Sequence, residues 1–149
     1  MVATVKPKAE VFNLRTPYLR QGRTTDLRAR TDLMTIMVKI YAEGGENAMH
    51  CHTTEDHSFI VVEGQATFRI DTEDNVKVVN RWEGIMLPKG VYYRFESTGD
   101  QNLVLIRAGA APVGMKNERL GPDGTPLFSD SKENGQVERI EAYGRGFGE

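Results

Sequence analysis

The strongest constraint on this chain is how often its middle is interrupted. Between residues 33 and 108, turn-forming clusters recur at short intervals: Glu43-Gly44-Gly45-Glu46-Asn47, Gly64, Asp71-Thr72-Glu73-Asp74-Asn75, Gly84, Pro88-Lys89-Gly90 and Ser97-Thr98-Gly99-Asp100-Gln101. No strong amphipathic helix shows between them. The intervening segments are rich in β-branched and aromatic residues: 33–41 (LMTIMVKIY), 48–52, 57–63 (HSFIVVE), 65–70 (QATFRI), 76–82 (VKVVNRW), 91–96 and 103–108. Segments 65–70 and 76–82 alternate polar and apolar residues around a polar turn, as the arms of a hairpin do. Short strands at this spacing predict an all-β protein, a sandwich or a barrel.

The two ends differ from the middle. Residues 10–14 have the composition of a short strand. Residues 15–30 carry Arg15, Arg20, Arg23, Arg28 and Arg30 among polar neighbours and read as a surface loop or short helix. Such a cluster is either a solvated face or a contact for an anionic ligand or partner. From Ala111 onward Gly, Pro and charged residues dominate, the composition of an irregular extension, with 136–143 a short strand or helix inside it. The expected organisation is an N-terminal arm over 1–32, a β domain over 33–110 and a C-terminal extension over 111–149.

Composition narrows the function classes. A length of 149 residues predicts one domain. Nineteen Lys and Arg against twenty-one Asp and Glu give a net charge of −2, so no broad basic field is available to nucleic acid or anionic lipid. The apolar runs fall far short of the ~20 residues that span a bilayer. The first eight residues lack the apolar stretch of a signal peptide. One cysteine, Cys51, makes neither an intrachain disulfide nor a cysteine-based zinc site. A cytoplasmic location is the expectation.

Histidine carries the chemical signal. All three histidines, His50, His52 and His57, fall within eight residues. In a strand, positions i and i+2 share a face, so His50 and His52 project together with Cys51 turned away. The short link Thr53-Thr54-Glu55-Asp56 lets the next strand fold back and bring His57 to the same place. Three neutral imidazoles form a chelate for a divalent transition metal, Fe, Zn, Ni, Mn or Cu, with open positions for water or substrate. The alternative is a set of buried histidines satisfied by hydrogen bonds.

The run from Gly44 through His50, His52 and His57 to Gly64 resembles the first signature motif of the cupin superfamily, G(X)5HXH(X)3–4E(X)6G, with His57 in the place of the usual glutamate. Gly84, Pro88, Gly90, Tyr93 and Ser97 resemble the second motif, G(X)5PXG(X)2H(X)3N, in part: the first spacing is two residues shorter, and Tyr93 and Ser97 stand for its histidine and asparagine. The resemblance covers about residues 33–108. It implies a small single-domain cupin: a double-stranded β-helix, the jelly-roll barrel, whose motifs line the interior and hold one metal ion. His50 and His52 carry over as ligands and His57 by position. Glu55 and Asp56 are the acidic substitutes. Tyr93 carries over by position only, as ligand, as catalytic acid/base, as a hydrogen-bond partner of bound water, or as a barrel-filling ring.

A three-histidine centre would leave the charge of a +2 ion uncompensated. It would favour anionic or chelating oxygen ligands and Lewis-acid activation of water. By strand parity, Phe59 shares a face with His57, and Phe95 with Tyr93, so these two rings are expected to line the substrate pocket. The expected function is a metal-dependent enzyme on a small oxygen-bearing organic substrate, dioxygenase-like or a non-redox lyase, isomerase or cyclase. A non-catalytic small-ligand-binding cupin is the alternative. Segment 33–41 is apolar on both faces, with Met34, Ile36, Val38 and Ile40 opposite Leu33, Met37 and Tyr41. A barrel this small buries one face, so the other predicts a two-fold homodimer, with residues 9–14 laid across the partner's sheet as an added edge strand.

Overall fold

The alternation in the middle of the chain becomes a stack of antiparallel strands. The computed structural model describes residues 5–43, 45, 47–128 and 137–149. Among these residues there are twelve strands and no helix. They are β1 (Leu19–Gln21), β2 (Arg23–Arg30), β3 (Met34–Tyr41), β4 (Cys51–His52), β5 (Asp56–Glu63), β6 (Gln65–Ile70), β7 (Val76–Asn80), β8 (Gly84–Leu87), β9 (Tyr93–Ser97), β10 (Leu103–Ala110), β11 (Arg119–Leu120) and β12 (Ile140–Glu141). One sheet has the order β2-β3-β10-β5-β8 and a second β7-β6-β9, with two-stranded pairs β1-β12 and β11-β4 beside them. Every pairing is antiparallel, and the crossovers between non-sequential neighbours give the jelly-roll connectivity of a double-stranded β-helix.

The two larger sheets meet over one apolar core. Tyr41, Phe59, Val61, Leu103 and Leu105 from the five-stranded sheet pack with Ala66, Phe68, Val79, Tyr93 and Phe95 from the three-stranded sheet. Phe68 stacks on Phe95 with ring centroids 4.8 Å apart, and Tyr41 meets Phe95 edge-on at 4.7 Å. Strand parity sets which residues reach this core. Along β3, Lys39 and Tyr41 face inward while Val38 and Ile40 face outward into a second cluster with Leu19, Val62 and Val104.

That outward face is covered by the chain's own ends. Leu14, Tyr18 and Phe147 pack on the second cluster, and Thr16 forms a β-bridge with Phe147. The Asn102 side chain grips the backbone of Leu19, accepting from its N–H at 2.7 Å and donating to its carbonyl at 2.9 Å. The Val38 and Ile40 end of β3 therefore needs no partner subunit to bury it. Residues 10–14 form no strand, Val11 is 99% exposed, and Phe12 and Met34 line a shallow cleft at the other end of β3.

The arginine-rich segment also differs from expectation. Residues 15–30 are neither loop nor helix for most of their length: β2 runs alongside β3 from Arg23↔Tyr41 to Arg30↔Thr35, with one bulge between Leu27 and Ala29. An edge strand tolerates charge because one of its backbone edges and one face meet solvent. The backbone ladder with β3 outweighs the weak local propensity. The segment 136–143 contributes β12; its first residue lies outside the described residues, as does Gly44 of the first motif.

Gly64 joins β5 to β6 at φ +80°, and a Cβ there would stand 2.5 Å from the Asn102 carbonyl oxygen. Backbone sterics and left-handed geometry both demand glycine. Gly64→Ala should lower the unfolding free energy by about 1–3 kcal/mol in urea titration. An unchanged midpoint would show that the corner relaxes at no cost.

Candidate functional site

The antiparallel register of the large sheet decides what faces the barrel interior. Arg23 pairs with Tyr41, Thr25 with Lys39, Lys39 with Leu105, and Arg107 with Phe59. Arg23, Lys39, Tyr41 and Arg107 therefore share the inner face with His57 and Phe59. β4 pairs with β11 so that His52 stands opposite Arg119. His50 exchanges backbone hydrogen bonds with Tyr93, at 3.0 Å and 2.8 Å, which ties the first motif to the second. Gly90, at φ +85°, turns its N–H onto the His52 carbonyl at 2.8 Å and fixes the Pro-x-Gly turn in place.

These elements enclose a cavity of about 430 Å³. His50, His52, Tyr41 and Tyr93 line it together with Asn47, Thr24, Thr25 and four cations: Arg23, Lys39, Arg107 and Arg119. No carboxylate is among the described lining residues. Phe59 and Phe95 are fully buried beneath the cavity and do not line it. Their rings, with that of Tyr41, form a floor under Lys39, whose Nζ lies 5.6 Å, 5.8 Å and 5.4 Å from the respective centroids. Burial, and then Arg107, Arg23 and Arg119, holds the Lys39 pKa well below the usual lysine value.

The three imidazoles do converge. His50 and His52 lie 5.2 Å apart by ring centroid, and His52 and His57 4.2 Å apart. Their Nδ1 atoms are turned to other partners. His50 Nδ1 sits 2.7 Å from the Ala48 carbonyl, and Arg119 Nη2 lies 3.2 Å from the same nitrogen. His52 Nδ1 is 3.0 Å from the Asn117 amide nitrogen. His57 Nδ1 meets the Tyr93 hydroxyl at 3.2 Å, and its Nε2 stands 3.1 Å from Glu55 Oε1, a charge contact without hydrogen-bond alignment. Cys51 is buried on the opposite side.

This arrangement corrects the metal expectation. No group of three or more His, Cys, Asp or Glu among the described residues is placed to hold a metal ion. His57 Nδ1 is taken by the Tyr93 hydroxyl, Glu55 stands beside its Nε2, and the cationic side chains around the same cavity repel a dication. The residues present do not fit a divalent Fe, Zn, Ni, Mn or Cu centre, so His50, His52 and His57 are not a ligand set. The metal-dependent enzyme, whether dioxygenase-like or a lyase, isomerase or cyclase, falls with the centre it required. What remains of the electrostatic expectation is a positive cavity, and its charge comes from side chains.

Sequence reasoning missed Lys39, Arg107 and Arg119 as cavity residues. Two of them carried a signal: Lys39 and Arg107 are single cations inside otherwise apolar strands, MTIMVKIY and LVLIRAGA, at inward parity. Arg119 and Asn117 come from the C-terminal extension, where only the fold brings them to the histidines. Burial pushes the His50 pKa down to about 2, with Arg119 adding to it, and that of His52 down to about 3, with His57 and Arg119 adding. His57 is lowered by burial against the pull of Glu55. Burial raises the Tyr93 hydroxyl well above the usual phenol range. The histidines are neutral and the tyrosine protonated at neutral pH.

The comparisons agree with this architecture. A cupin domain family matches residues 37–108. A double-stranded β-helix protein from Klebsiella pneumoniae subsp. pneumoniae superposes with a TM-score of 0.62 at 16% identity, over 76% of this chain and 96% of that one. The Cnp3 cupin domain of Schizosaccharomyces pombe gives 0.57 at 16% identity, over 63% and 68% of the two chains. TT1209 from Thermus thermophilus gives 0.57 at 14% identity, over 64% and 90%. At these identities the likeness is one of fold. No curated protein sequence matches the chain. No helix among the described residues is long and apolar enough to cross a membrane.

Neutral buried histidines make stability pH-dependent. The unfolded chain binds a proton near the ordinary value of 6.5, and the folded chain refuses it until about 3 at His52. The stabilising difference is fully present above 6.5 and is lost as the pH falls below it, by up to ~1.4 kcal/mol per pH unit for each histidine. His52→Gln should flatten the fall in urea midpoint between about pH 7 and about pH 5, above the main carboxylate range. A slope as steep as the parent's would show that His52 titrates in the folded protein as it does unfolded.

Proposed function

With the double-stranded β-helix of the cupin superfamily as the scaffold, we propose that this chain is a small, single-domain, non-catalytic cupin that binds a small molecule in its barrel. The observation that carries this is the lined cavity itself. Tyr41, Tyr93, His50 and His52 surround a space of about 430 Å³, within the range of small-molecule sites. The lining is polar and aromatic, the imidazoles each spend Nδ1 on a neighbour in the protein, and the Tyr93 phenol is held protonated as a hydrogen-bond donor.

Tyr93 is assigned here as a hydrogen-bond partner of the ligand, with the His57 contact orienting its hydroxyl. Phe59 and Phe95 act from below, as the rigid base that keeps Tyr41 and Lys39 in position. The ligand that fits is small, partly apolar and oxygen-bearing. A homodimer belongs to the same proposal, with Phe12 and Met34 as the apolar surface on which a second copy would pack.

A library of small fragments screened by NMR should perturb the ring signals of His50, His52 and Tyr93 together. Tyr93→Phe, which keeps the ring, should weaken the best binder by about 0.5–1.5 kcal/mol, the usual worth of one neutral hydrogen bond. Perturbations confined to other surfaces, or none, would end the ligand-binding proposal. Light scattering at micromolar concentration should give twice the 16.7 kDa chain mass. A single-chain mass would remove the dimer and leave the cavity untouched.

A further inference from the structure

The cavity has a sign. Four cations reach it from four strands: Arg23 on β2, Lys39 on β3, Arg107 on β10 and Arg119 on β11. Elsewhere four arginines pair with acids: Arg94 and Arg69 with Glu73, Arg69 also with Glu96, Arg28 with Asp26, and Arg139 with Glu141. Among the described residues, neither Lys39 nor Arg107 forms an ion pair with a carboxylate. The Nε of Arg107 is buried and has no hydrogen-bond partner. The nearby acid, Glu55, is directed at His57.

Gathering like charges in a half-enclosed space is destabilising unless something negative joins them. Water compensates part of that cost, and an anion compensates it more fully because it answers several cations at once. Arg23, Lys39 and Arg107 stand on three neighbouring strands of one sheet and Arg119 on the separate β11-β4 pair, so a single negative charge does not answer them all. A ligand that carries two negative charges answers more of them, and a cavity of about 430 Å³ has room for it. Tyr41 and Tyr93 give its uncharged part a surface to lie on.

Resting on the ligand-binding reading above, we propose that the cavity binds a small organic dianion, a dicarboxylate or a phosphate monoester, held between Lys39 and Arg107. The two strands that carry these residues pair residue for residue along eight positions, from Leu103↔Tyr41 to Ala110↔Met34, so their spacing is fixed by the sheet before any ligand arrives. A preorganised pair of charges loses little freedom on binding and discriminates by charge count. Arg23 and Arg119 add positive potential from the flanking strands.

The test is calorimetric titration of the full chain with succinate and with glycerol phosphate as dianions, and with acetate and chloride as monoanions. At least one dianion should bind with one-to-one stoichiometry and at least tenfold more tightly than acetate. Lys39→Met and Arg107→Gln should each weaken it at least tenfold, whereas Lys116→Gln, on the exposed surface, should not. Lys39→Met should also raise the melting temperature without ligand, because it removes a buried amine that has no carboxylate partner and three arginines around it; this readout stands even if Arg107→Gln fails to fold. Binding of succinate alone assigns carboxylate chemistry, of glycerol phosphate alone phosphate chemistry, and either supports the proposal. Dianions that bind no better than acetate overturn it, as does equal binding by the parent and Lys39→Met. If neutral fragments still shift His50 and Tyr93, only the charge assignment has failed. If no compound of either kind does, the ligand site has failed as well.

Discussion

The register between β3 and β10 is the constraint on which the interior depends. Side chains alternate along both strands, so one residue of slip would exchange every inward group for an outward one. In the observed pairing Lys39 and Arg107 enter the cavity, while Val38, Ile40 and Val104 lie under the terminal segments. A slip of β3 would put Val38 and Ile40 beneath the cavity and leave Lys39 under Leu14 and Phe147. The apolar outer layer therefore does more than cover a sheet. Its burial, worth about 25 cal/mol per Å², holds the pairing that keeps the charges inside.

Most of the barrel was legible in the sequence because its strands carry their own punctuation. Residues 65–70 coincide with β6, and 33–41, 57–63 and 103–108 differ from β3, β5 and β10 by two residues or fewer at either end. What was hidden is tertiary. β2 has the composition of a solvated loop and is a strand only because β3 offers it a ladder. β8 is four residues between two turn signals, too short to show a period. Segment 33–41 looked apolar on both faces because one lysine among nine residues is easily discounted, and that lysine marks which face is the cavity.

The histidines show the same division. Their proximity followed from strand spacing and is found. Their chemistry did not follow, because it depends on groups remote in sequence: Tyr93, Asn117, Arg119 and the cations of β3 and β10. A three-histidine motif specifies a metal only when the lone pairs converge and the surroundings are neutral or negative. In this chain the Nδ1 atoms are bonded to neighbours in the wall and the surroundings are positive. The imidazoles serve as wall material, neutral and polar, between an aromatic floor and a ring of charge.

The cavity's walls are also unequally fastened. Lys39 and Arg107 stand in the middle of eight-residue ladders, with neighbours on both sides. Arg119 and Asn117 belong to a segment joined to the barrel by the two-residue pairing of β11 with β4, helped by Thr53 contacts to Glu118 at 2.8 Å and 3.0 Å. Local opening follows the thinnest ladder. For a ligand bound as proposed, the wall that carries Arg119 is then the one that opens at least cost, and it sets the speed of entry and exit while the sheet sets the grip. Sequence change in the two walls would then tune residence time and selectivity separately.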